Sequence, residues 1–393
     1  MYYSRTILPQ LRKQIETPQI VVLTGMRRVG KTSLYRILFD EISSKNKVFL
    51  DIENPLEQKI FEETDYNNIW ANLKSYGIDS KEKPYLFLDE IQAMPGIVKA
   101  VKYLHDHYKV KFFLTGSSSF YLKNLFPESL AGRKVIFELF PLSFEEFLLF
   151  RGIKKDVYTS FHDKDQKKNA ITHEKVKKLY DEYVEFGGFP QVVLTDSQAQ
   201  KKIQLVDIFK SYFEKEVQIL ADFRQLTTFR DVMLLLLSRV GAKLEIGKLA
   251  SEVGVARETI YSYISFLEGT YFISLISPFS RSIDREVSGT KKLYLCDTGL
   301  INQFARVSGG SLFENAVFQN LRPYGEIHYY QRRSGGEVDF ILGDQACFEV
   351  KTHGIIRDLQ TVNMVASDLG IKQSYVISKD FIDKPGFIPA TEL

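Results

Sequence analysis

Short apolar segments alternate with amphipathic ones through the first 150 residues of the chain. Five apolar segments are rich in branched or aromatic side chains and show no polar alternation: QIVVLTG, KVFLDIE, PYLFLDE, KFFLTGS and KVIFELF. Such segments are typical of strands buried on both faces of a parallel sheet, with helices in the stretches between them. The pattern therefore predicts an α/β fold, a parallel sheet covered by helices, for residues 1–150.

The pattern changes after residue 150. Residues 154–178 are rich in lysine and poor in apolar side chains, which predicts a solvated insertion or linker. From about residue 176 to residue 240, apolar side chains recur at three- and four-residue spacings and indicate helices, interrupted by GGFP at 187–190. We therefore divide the rest of the chain into a linker with a helical segment (151–240), a small domain (241–305) and a second α/β domain (306–393).

Composition sets bounds on the class of protein. With 393 residues, 44% of them apolar and 26% charged, the chain has material for several globular cores. A net charge of +3 is too small to indicate nucleic-acid binding by itself. Cys296 and Cys347 lie in apolar strand-like segments and are expected to be buried, reduced thiols. The absence of a long apolar segment or a signal-peptide pattern predicts a cytoplasmic protein without a membrane partner.

Residues 25–32, GMRRVGKT, fit the phosphate-binding pattern G-x-x-x-x-G-K-[ST]. The motif follows the strand-like VVLT and precedes the helical TSLYRILFDEI, the context in which backbone N–H groups and a helix start face a phosphate. Lys31 is expected to reach the β- and γ-phosphates of ATP, and the Thr32 hydroxyl to bind Mg²⁺. The remaining predicted nucleotide contacts are Gly25, Arg28, Val29, Gly30 and Ser33. The competing interpretation is a glycine-rich turn without a ligand.

A second apolar segment, YLFLDE at residues 85–90, ends in two carboxylates. Asp89 is expected to hold Mg²⁺ through water beside Thr32, and Glu90 to polarise the water that attacks the γ-phosphate. The alternative is a strand that simply ends in solvated acids, which is common when such a segment occurs alone. Its pairing with the phosphate-binding motif favours the catalytic interpretation.

Six segments occur in an order that resembles the AAA_14 family of AAA+-type ATPases: GMRRVGKTSL, YLFLDEIQ, FFLTGSSS, LAGR, LFPLSFEEF and YVEFGGFP. The resemblance spans roughly residues 1–240 and implies a P-loop domain followed by a helical lid. It also implies that Ser117 senses the γ-phosphate and that Arg133 senses or neutralises phosphate charge. If Arg133 acts on a neighbouring subunit, the protein is a homo-oligomer.

Residues 246–268, IGKLASEVGVARETIYSYISFLE, show two helical patterns separated at Gly254. Two strand-like segments follow, so the sequence predicts a winged-helix module for residues 241–305. The second helix of such modules enters the DNA major groove, and Arg257 is the basic residue at its start. A module used for packing or for protein contacts is the alternative, since fold alone does not decide function.

Residues 337–342 (EVDFIL) and 347–351 (CFEVK) predict a hairpin that brings Asp339, Glu349 and Lys351 together. Two carboxylates can hold Mg²⁺ or Mn²⁺, and the lysine can orient the attacking water. This arrangement resembles the PD-(D/E)xK nuclease core, which implies a restriction-endonuclease-like α/β domain with Glu314 on its first helix. The alternative is a structural cluster in which the lysine neutralises the acids.

Two functions from different classes are therefore open. The first is an ATP-hydrolysing protein that acts on DNA and carries a metal-dependent nuclease module. The second is a nucleotide-operated switch whose winged helix and nuclease-like tail bind protein partners without cleaving anything.

Overall fold

A computed structural model describes residues 3–116, 132–217, 225–332 and 336–393. The chain forms two compact units. The first comprises the residues up to Phe140 together with Gly269–Tyr271, and the second comprises Pro141–Glu268 and Phe272–Leu393. The finer division at residues 150, 240 and 305 stays a prediction. Within the described residues, no helix has the length and apolar character that crossing a bilayer requires.

The described residues of the first unit contain five strands: β1 (Ile20–Thr24), β2 (Lys47–Asp51), β3 (Tyr85–Asp89), β4 (Lys111–Gly116) and β5 (Lys134–Glu138). They form one parallel sheet in the order β2-β3-β4-β1-β5. The predicted parallel sheet is confirmed. The three central strands are buried along their whole length, whereas β2 and β5 are only partly buried. The expectation of burial on both faces is wrong for these two because they are edge strands with fewer covering neighbours.

Helices in the described residues of the first unit are α1 (Leu8–Lys13), α2 (Lys31–Glu41), α3 (Pro55–Gln58), α4 (Tyr66–Lys74) and α5 (Ile97–Tyr108). Successive strand residues face opposite sides of the sheet. On one side, Phe87 stacks on Phe49 and Phe113, with ring centroids 5.8 and 4.4 Å apart. Tyr35 and Phe39 of α2 meet the Phe87 ring edge-on at 5.6 and 5.4 Å. These aromatic contacts, each worth about 1 kcal/mol beyond area burial, fix α2 against the central strands.

Helices after residue 140 are, in chain order, α6 (Phe144–Phe150), α7 (Phe161–Gln166), α8 (Ala170–Phe186), α9 (Pro190–Val193), α10 (Gln198–Tyr212), α11 (Leu226–Leu237), α12 (Ile246–Val253), α13 (Arg257–Gly269), α14 (Ile283–Ser288), α15 (Thr298–Phe304), α16 (Gly309–Leu321) and α17 (Ile356–Leu369). The predicted helix pair with a break at Gly254 is present as α12 and α13, and Gly254 takes the left-handed conformation that ends α12. Its identity as a winged-helix module stays a prediction.

Within the described part of the second unit there are two sheets. One is an antiparallel pair, β6 (Ile273–Ile276) and β7 (Lys292–Leu295). The other has the order β12-β11-β10-β9-β8, with β8 (Ile327–Gln331), β9 (Glu337–Leu342), β10 (Ala346–Lys351), β11 (Gln373–Ser378) and β12 (Phe387–Pro389). The predicted hairpin is the antiparallel pair β9 and β10, and α17 connects β10 to its parallel neighbour β11. Cys347 on β10 and Cys296 are buried free thiols, as predicted.

The lysine-rich segment 154–178 differs from its prediction. It contains α7 and the first half of α8, and Lys164 is buried at 1% exposure. The Lys164 ammonium donates to the backbone carbonyl of Glu392, and the Lys155 ammonium lies 2.8 Å from the Glu392 carboxylate. The Lys168 ammonium donates to the backbone carbonyl of Phe387 at 2.7 Å. We call these three lysines the lysine clasp.

The prediction of a solvated linker is wrong because a high density of lysine does not reveal where the ammonium groups lie. Here they bind the backbone and a side chain of residues 384–392, while their long aliphatic stems are buried. Burial, and after it the charge of the neighbouring Lys155, lowers the pKa of Lys164 to about 8. Below about pH 8 Lys164 is protonated in the folded chain, and the burial of this charge lowers the free energy of unfolding.

This cost predicts a pH dependence of stability. An exposed lysine of the unfolded chain has a pKa near 10.5, whereas folded Lys164 titrates near 8. The unfolded chain binds more protons between these values, so stability rises with pH across this window. The free energy of unfolding of wild type minus that of Lys164→Met should increase by roughly 1–2 kcal/mol from pH 7 to pH 10. Denaturant titration measures this difference.

The matched control is Lys167→Met, an exposed lysine directly after the end of α7. Its difference from wild type should not rise over this interval. A pH-independent difference for Lys164→Met would mean that the buried ammonium is already well solvated or compensated.

Candidate functional site

The predicted phosphate-binding loop lies between the end of β1 at Thr24 and the start of α2 at Lys31. Gly25 has φ +149°, and a Cβ there would lie 2.1 Å from the carbonyl oxygen of Leu139, so a larger residue would not fit. Gly30 has φ +100° at the start of α2, where no side chain caps the helix in the described part of the chain. The first N–H groups of α2 are therefore not engaged by a cap, which suits a helix start that binds an anion.

Lys31 is buried, and its ammonium donates to the carbonyl oxygens of Gly25 and Met26 at 2.8 and 3.1 Å. The positive charge thus lies inside the curl of the loop. Val29 is buried, and its carbonyl accepts a hydrogen bond from the Arg5 guanidinium at 2.9 Å. Of the other predicted loop contacts, Arg28 and Ser33 are exposed at the surface. The buried residues Val29 and Lys31 therefore hold the loop in place, whereas Arg28 and Ser33 face solvent.

The structure brings Thr32 and Asp89 together. The Thr32 hydroxyl donates to the Asp89 carboxylate at 2.7 Å, although the two residues are 57 positions apart. Burial raises the pKa of Asp89, while hydrogen bonds from Thr115 and Thr32 act in the opposite direction. A hydroxyl and a carboxylate oxygen at one point are ligands that Mg²⁺ accepts.

Thr115, near the end of β4, is a site residue that sequence reasoning missed. Its hydroxyl donates to the second oxygen of the Asp89 carboxylate and accepts a hydrogen bond from the Glu90 backbone N–H at 2.9 Å. Ser117, the predicted γ-phosphate sensor, is two positions further along the chain and lies outside the described residues. The available signal was the polar residue in FFLTG, at the carboxyl end of an otherwise apolar strand.

Glu90 has φ +54°, a left-handed conformation that is uncommon for a residue other than glycine and that occurs often at functional sites. Its carboxylate accepts a hydrogen bond from the Gln92 side-chain amide. The same carboxylate lies 3.8 Å from the Arg27 guanidinium, which in turn pairs with Glu53 at 2.8 Å. Neighbours therefore hold Glu90 next to Asp89 at the end of β3.

Arg133 is not among the residues that gather at the loop. Its guanidinium donates to the Asp106 carboxylate at 3.0 Å, and its backbone carbonyl accepts from Ile20 at the amino end of β1. The phosphate-binding loop follows the opposite, carboxyl end of β1. The structure therefore does not bring Arg133 to the nucleotide site of its own chain, and a role toward a neighbouring subunit stays a prediction.

The predicted C-terminal site forms part of a larger acidic cluster, which we define as Glu314, Glu337, Asp339 and Glu349. Asp339 accepts a hydrogen bond from the Val350 backbone N–H at 2.8 Å, which ties β9 to β10. The Lys351 ammonium donates to Glu349 at 2.6 Å. Glu314, on α16, accepts a hydrogen bond from the Tyr294 hydroxyl at 2.6 Å.

Burial and mutual repulsion disfavour the charged form of three of these acids, Glu314, Asp339 and Glu349, whereas Lys292 and Lys243 lower the pKa of the fourth, Glu337. Burial, followed by the charge of Asp339, raises the pKa of Glu314 and of Glu349 to about 7 each. The pKa of Asp339 is also raised, mainly by burial. The Oε2 atom of Glu349 is buried and accepts no hydrogen bond within the described residues. An unsatisfied carboxylate oxygen beside a second acid is the environment that a bound cation would stabilise.

The geometry limits what such a cation site can be. Within the described ranges, no group of three or more His, Cys, Asp or Glu side chains is arranged to hold a metal ion. Glu314 is therefore not a third ligand beside Asp339 and Glu349. A site of two carboxylates remains, which fits a cation such as Mg²⁺ that keeps several waters.

Lys292, on β7, is a second residue that sequence reasoning missed. Its buried ammonium contacts Glu337 and lies 3.7 Å from Glu314 and 4.0 Å from Asp339. These three acids together outweigh the effect of burial and raise the pKa of Lys292. Local sequence offered little sign of this role, because Lys292 precedes Glu314, the nearest of these acids in the chain, by 22 positions and belongs to another predicted module.

Arg257, the predicted DNA contact, is exposed at the start of α13. Its guanidinium lies over α12, where a Cβ on Gly247 would come within 3.1 Å of Arg257 Nη2. This placement leaves the side chain accessible at the surface, and DNA contact stays a prediction.

Three segments of the chain match known protein families. Residues 17–148 match the AAA_14 family, described as an AAA domain. Residues 177–311 and 309–385 match two domains of unknown function, DUF8612 and DUF4143. The five-stranded parallel sheet and the phosphate-binding loop between β1 and α2 both lie within the segment that is similar to an AAA domain.

Relatives along most of the chain include uncharacterized proteins of Methanocaldococcus jannaschii and Haemophilus influenzae. The first is 29% identical over 371 residues, covering 89% of this chain and 79% of the relative. The second is 28% identical over 354 residues, covering 87% of this chain and 84% of the relative. These similarities extend well beyond residues 17–148.

Solved structures with detectable similarity include AMPPCP-bound DnaA from Aquifex aeolicus and a STAND protein from Pyrococcus horikoshii. DnaA is 15% identical, with 67% of this chain and 86% of that chain covered and a TM-score of 0.28. The STAND protein is 14% identical, with 82% and 45% covered and a TM-score of 0.30. With TM-scores this low, neither superposition supports a functional conclusion.

The position of Thr115 between Asp89 and Glu90 predicts a specific effect on turnover. Thr115→Val keeps the shape of the side chain but removes both hydrogen bonds. ATP turnover should fall by roughly 10- to 100-fold, while nucleotide affinity changes by less than about threefold, because the carboxylates lose their alignment. Steady-state hydrolysis and fluorescent-nucleotide titration measure the two quantities.

Thr24→Val is the matched control. Thr24 is also buried at a strand end, but its hydroxyl has no hydrogen-bond partner in the described part of the chain. This variant should hydrolyse ATP at close to the wild-type rate. If Thr115→Val hydrolyses ATP as fast as wild type, Thr115 has no role in aligning the carboxylates.

Proposed function

We propose that the protein hydrolyses ATP with Mg²⁺ at the site formed by the phosphate-binding loop, Thr32, Asp89 and Glu90. The observation that carries the proposal is the 2.7 Å hydrogen bond between the Thr32 hydroxyl and the Asp89 carboxylate. It joins the start of α2 to the end of β3 at the point where a nucleotide-bound cation is needed. An AAA-type domain over residues 17–148 supports the same conclusion.

Each residue has a defined task in this proposal. The loop N–H groups and the Lys31 ammonium bind the β- and γ-phosphates, so the Lys31 ammonium exchanges its carbonyl partners for phosphate oxygens. Thr32 and Asp89 would hold Mg²⁺, which neutralises charge on the phosphates. Glu90 orients the attacking water and accepts its proton, and Arg27 and Gln92 position the Glu90 carboxylate.

A second activity, metal-dependent cleavage of nucleic-acid phosphodiesters, is supported by the buried Glu349 Oε2 atom that accepts no hydrogen bond within the described residues. Asp339 and Glu349 would hold Mg²⁺ or Mn²⁺, and Lys351 would orient the attacking water. DNA is the proposed substrate, with Arg257 of the winged-helix-like pair as a further contact. The alternative is a nucleotide-operated switch, in which Lys292 and Lys351 only neutralise the acids and these parts bind proteins.

We further propose that the ATPase domain assembles as a homo-oligomer in which Arg133 faces the nucleotide of a neighbouring subunit. The position of Arg133, away from the loop of its own chain, supports a role across a boundary. Its partly exposed side chain, 41% accessible and paired with Asp106, can reach outward.

Two substitutions test the ATPase proposal. Lys31→Ala should abolish measurable nucleotide binding, since the charge that meets the phosphates is lost. Glu90→Gln should bind ATP with near wild-type affinity but hydrolyse it roughly 100-fold or more slowly, because an amide is a poor proton acceptor. Isothermal titration gives the affinities and phosphate release gives the rates.

Glu62→Gln, at an exposed acid on the same unit, serves as the control and should leave both the affinity and the rate unchanged. Wild-type turnover by Glu90→Gln would refute the catalytic assignment.

Asp339→Asn tests the cation site with a readout other than cleavage. The substitution keeps the size of the side chain and removes one charged ligand, so Mn²⁺ affinity measured by electron paramagnetic resonance should fall at least about tenfold. Metal-dependent cleavage of DNA should be lost, while ATP turnover persists. Asp344→Asn, in the exposed turn between β9 and β10, is the matched control.

The structural alternative predicts the reverse pattern. If Lys351 only neutralises the acids, Lys351→Gln should lower the midpoint of thermal unfolding, and wild type should neither bind Mn²⁺ at this site nor cleave DNA. That result would end the nuclease proposal and leave the ATPase proposal intact.

A further inference from the structure

Three residues at and after the end of helix α13 belong to the first unit, although the chain on either side of them does not. Gly269–Tyr271 are part of that unit, whereas the rest of α13 and Phe272 are part of the second. The Phe272 backbone N–H donates to the Leu267 carbonyl at 2.9 Å, so the chain returns to the second unit through a tight turn. Tyr271 lies in this turn with φ +63°, the left-handed conformation.

The backbone conformation of Tyr271 is unfavourable for a bulky residue, whereas glycine adopts it without conflict. The buried side chain makes two contacts in the first unit. Its hydroxyl donates to the Glu138 carboxylate at 2.9 Å, and its ring meets that of Phe140 edge-on with centroids 5.7 Å apart. These contacts hold the strained turn in place, so a change in residues 138–140 acts directly on Tyr271.

The segment 138–140 also supports the start of the phosphate-binding loop. The Leu139 backbone N–H donates to the Thr24 carbonyl at 2.8 Å, directly before the loop. The Leu139 carbonyl oxygen lies so close to Gly25 that a Cβ on this glycine would be only 2.1 Å from it. Atoms packed this closely do not move independently, so a shift of the loop at Gly25 displaces segment 138–140.

Arg5 connects the same segment to the other end of the loop. Its buried guanidinium donates to the Val29 carbonyl at 2.9 Å and to the Phe140 carbonyl at 2.8 Å. In the ATP-binding step proposed above, Lys31 exchanges two loop carbonyls for phosphate oxygens, which changes the contacts that hold the loop. This change reaches segment 138–140 through both connections.

We propose that Tyr271 couples nucleotide binding at the phosphate-binding loop to the order of the last turn of α13. Bound nucleotide fixes the loop and segment 138–140, and this segment then holds the Tyr271 side chain and its strained turn more firmly. The turn follows α13 directly in the chain, so the end of this helix frays less when nucleotide is bound. The coupling rests on the ATP binding proposed above, and it is reciprocal: a partner that orders the end of α13 raises the affinity for nucleotide.

Hydrogen–deuterium exchange of the full chain, with and without saturating AMPPCP and Mg²⁺, tests the coupling. In wild type, nucleotide should slow the exchange of the loop (residues 25–32) and of residues 264–272, each by about threefold or more. Tyr271→Phe keeps the ring and loses the hydrogen bond to Glu138. In this variant the loop should remain protected by nucleotide, whereas the nucleotide-dependent protection of residues 264–272 should be lost.

Tyr261→Phe is the matched control, because this tyrosine is exposed on the same helix. It should show wild-type protection of both segments. A loss of protection as large as in Tyr271→Phe would mean that α13 responds to any change, and would overturn the assignment to Tyr271. A purely structural Tyr271 would instead give Tyr271→Phe faster exchange of residues 264–272 by the same factor with and without nucleotide, which would also overturn the coupling.

Two outcomes in wild type separate the coupling from the ATP-binding proposal. Protection of the loop without protection of residues 264–272 would overturn the coupling and leave nucleotide binding intact. If neither segment is protected, nucleotide does not bind at the loop, and the coupling is overturned together with the ATP proposal.

Discussion

Parallel pairing of β1, β3 and β4 is the constraint on which the nucleotide site depends. The register that places Leu88 beside Leu114 brings Asp89 and Thr115 to the same edge of the sheet, and the pairing of Thr24 with Gly116 brings the phosphate-binding loop to that edge. A slip of one residue would turn the side chains of a strand to the opposite face. The stacked rings of Phe87 and Phe113 resist such a slip, so core packing and site geometry are set by the same contacts.

The two candidate sites handle buried carboxylates in different ways. Asp89 is one acid whose two oxygens accept hydrogen bonds from the hydroxyls of Thr32 and Thr115, which keeps the carboxylate aligned. The acidic cluster instead gathers four carboxylates and relies on Lys292 and Lys351 from two different strands. Buried acids in this number are stable only with protons, ammonium groups or metal ions among them. The first arrangement suits a fixed ligand geometry, and the second suits a site whose charge changes with what is bound.

Sequence spacing was enough to find Lys31, Thr32, Asp89 and the hairpin of Asp339 and Glu349, because each lies in a local pattern with a mechanical reason. It did not find Thr115 or Lys292, since the role of each depends on which strand becomes its neighbour. The lysine clasp was predicted to be a solvated linker for a related reason. Composition shows that Lys155 and Lys164 are charged, but it does not show that Glu392 lies next to them in the folded chain. Residues within a local motif could be predicted from the sequence, whereas contacts between residues that are distant in the sequence could not.

The lysine clasp also bears on the order in which the chain can fold. Lys164 binds the Glu392 carbonyl across 228 positions, and His173 binds Thr391 across 218, whereas the sheet of the first unit is built from residues 20–138. Contacts between such distant segments form slowly. The first sheet can therefore assemble while the second unit is still incomplete, with the apolar strands around Phe348 and Val376 exposed. Refolding should be most prone to aggregation during this interval, and a chaperone that shields those strands would act before the clasp closes.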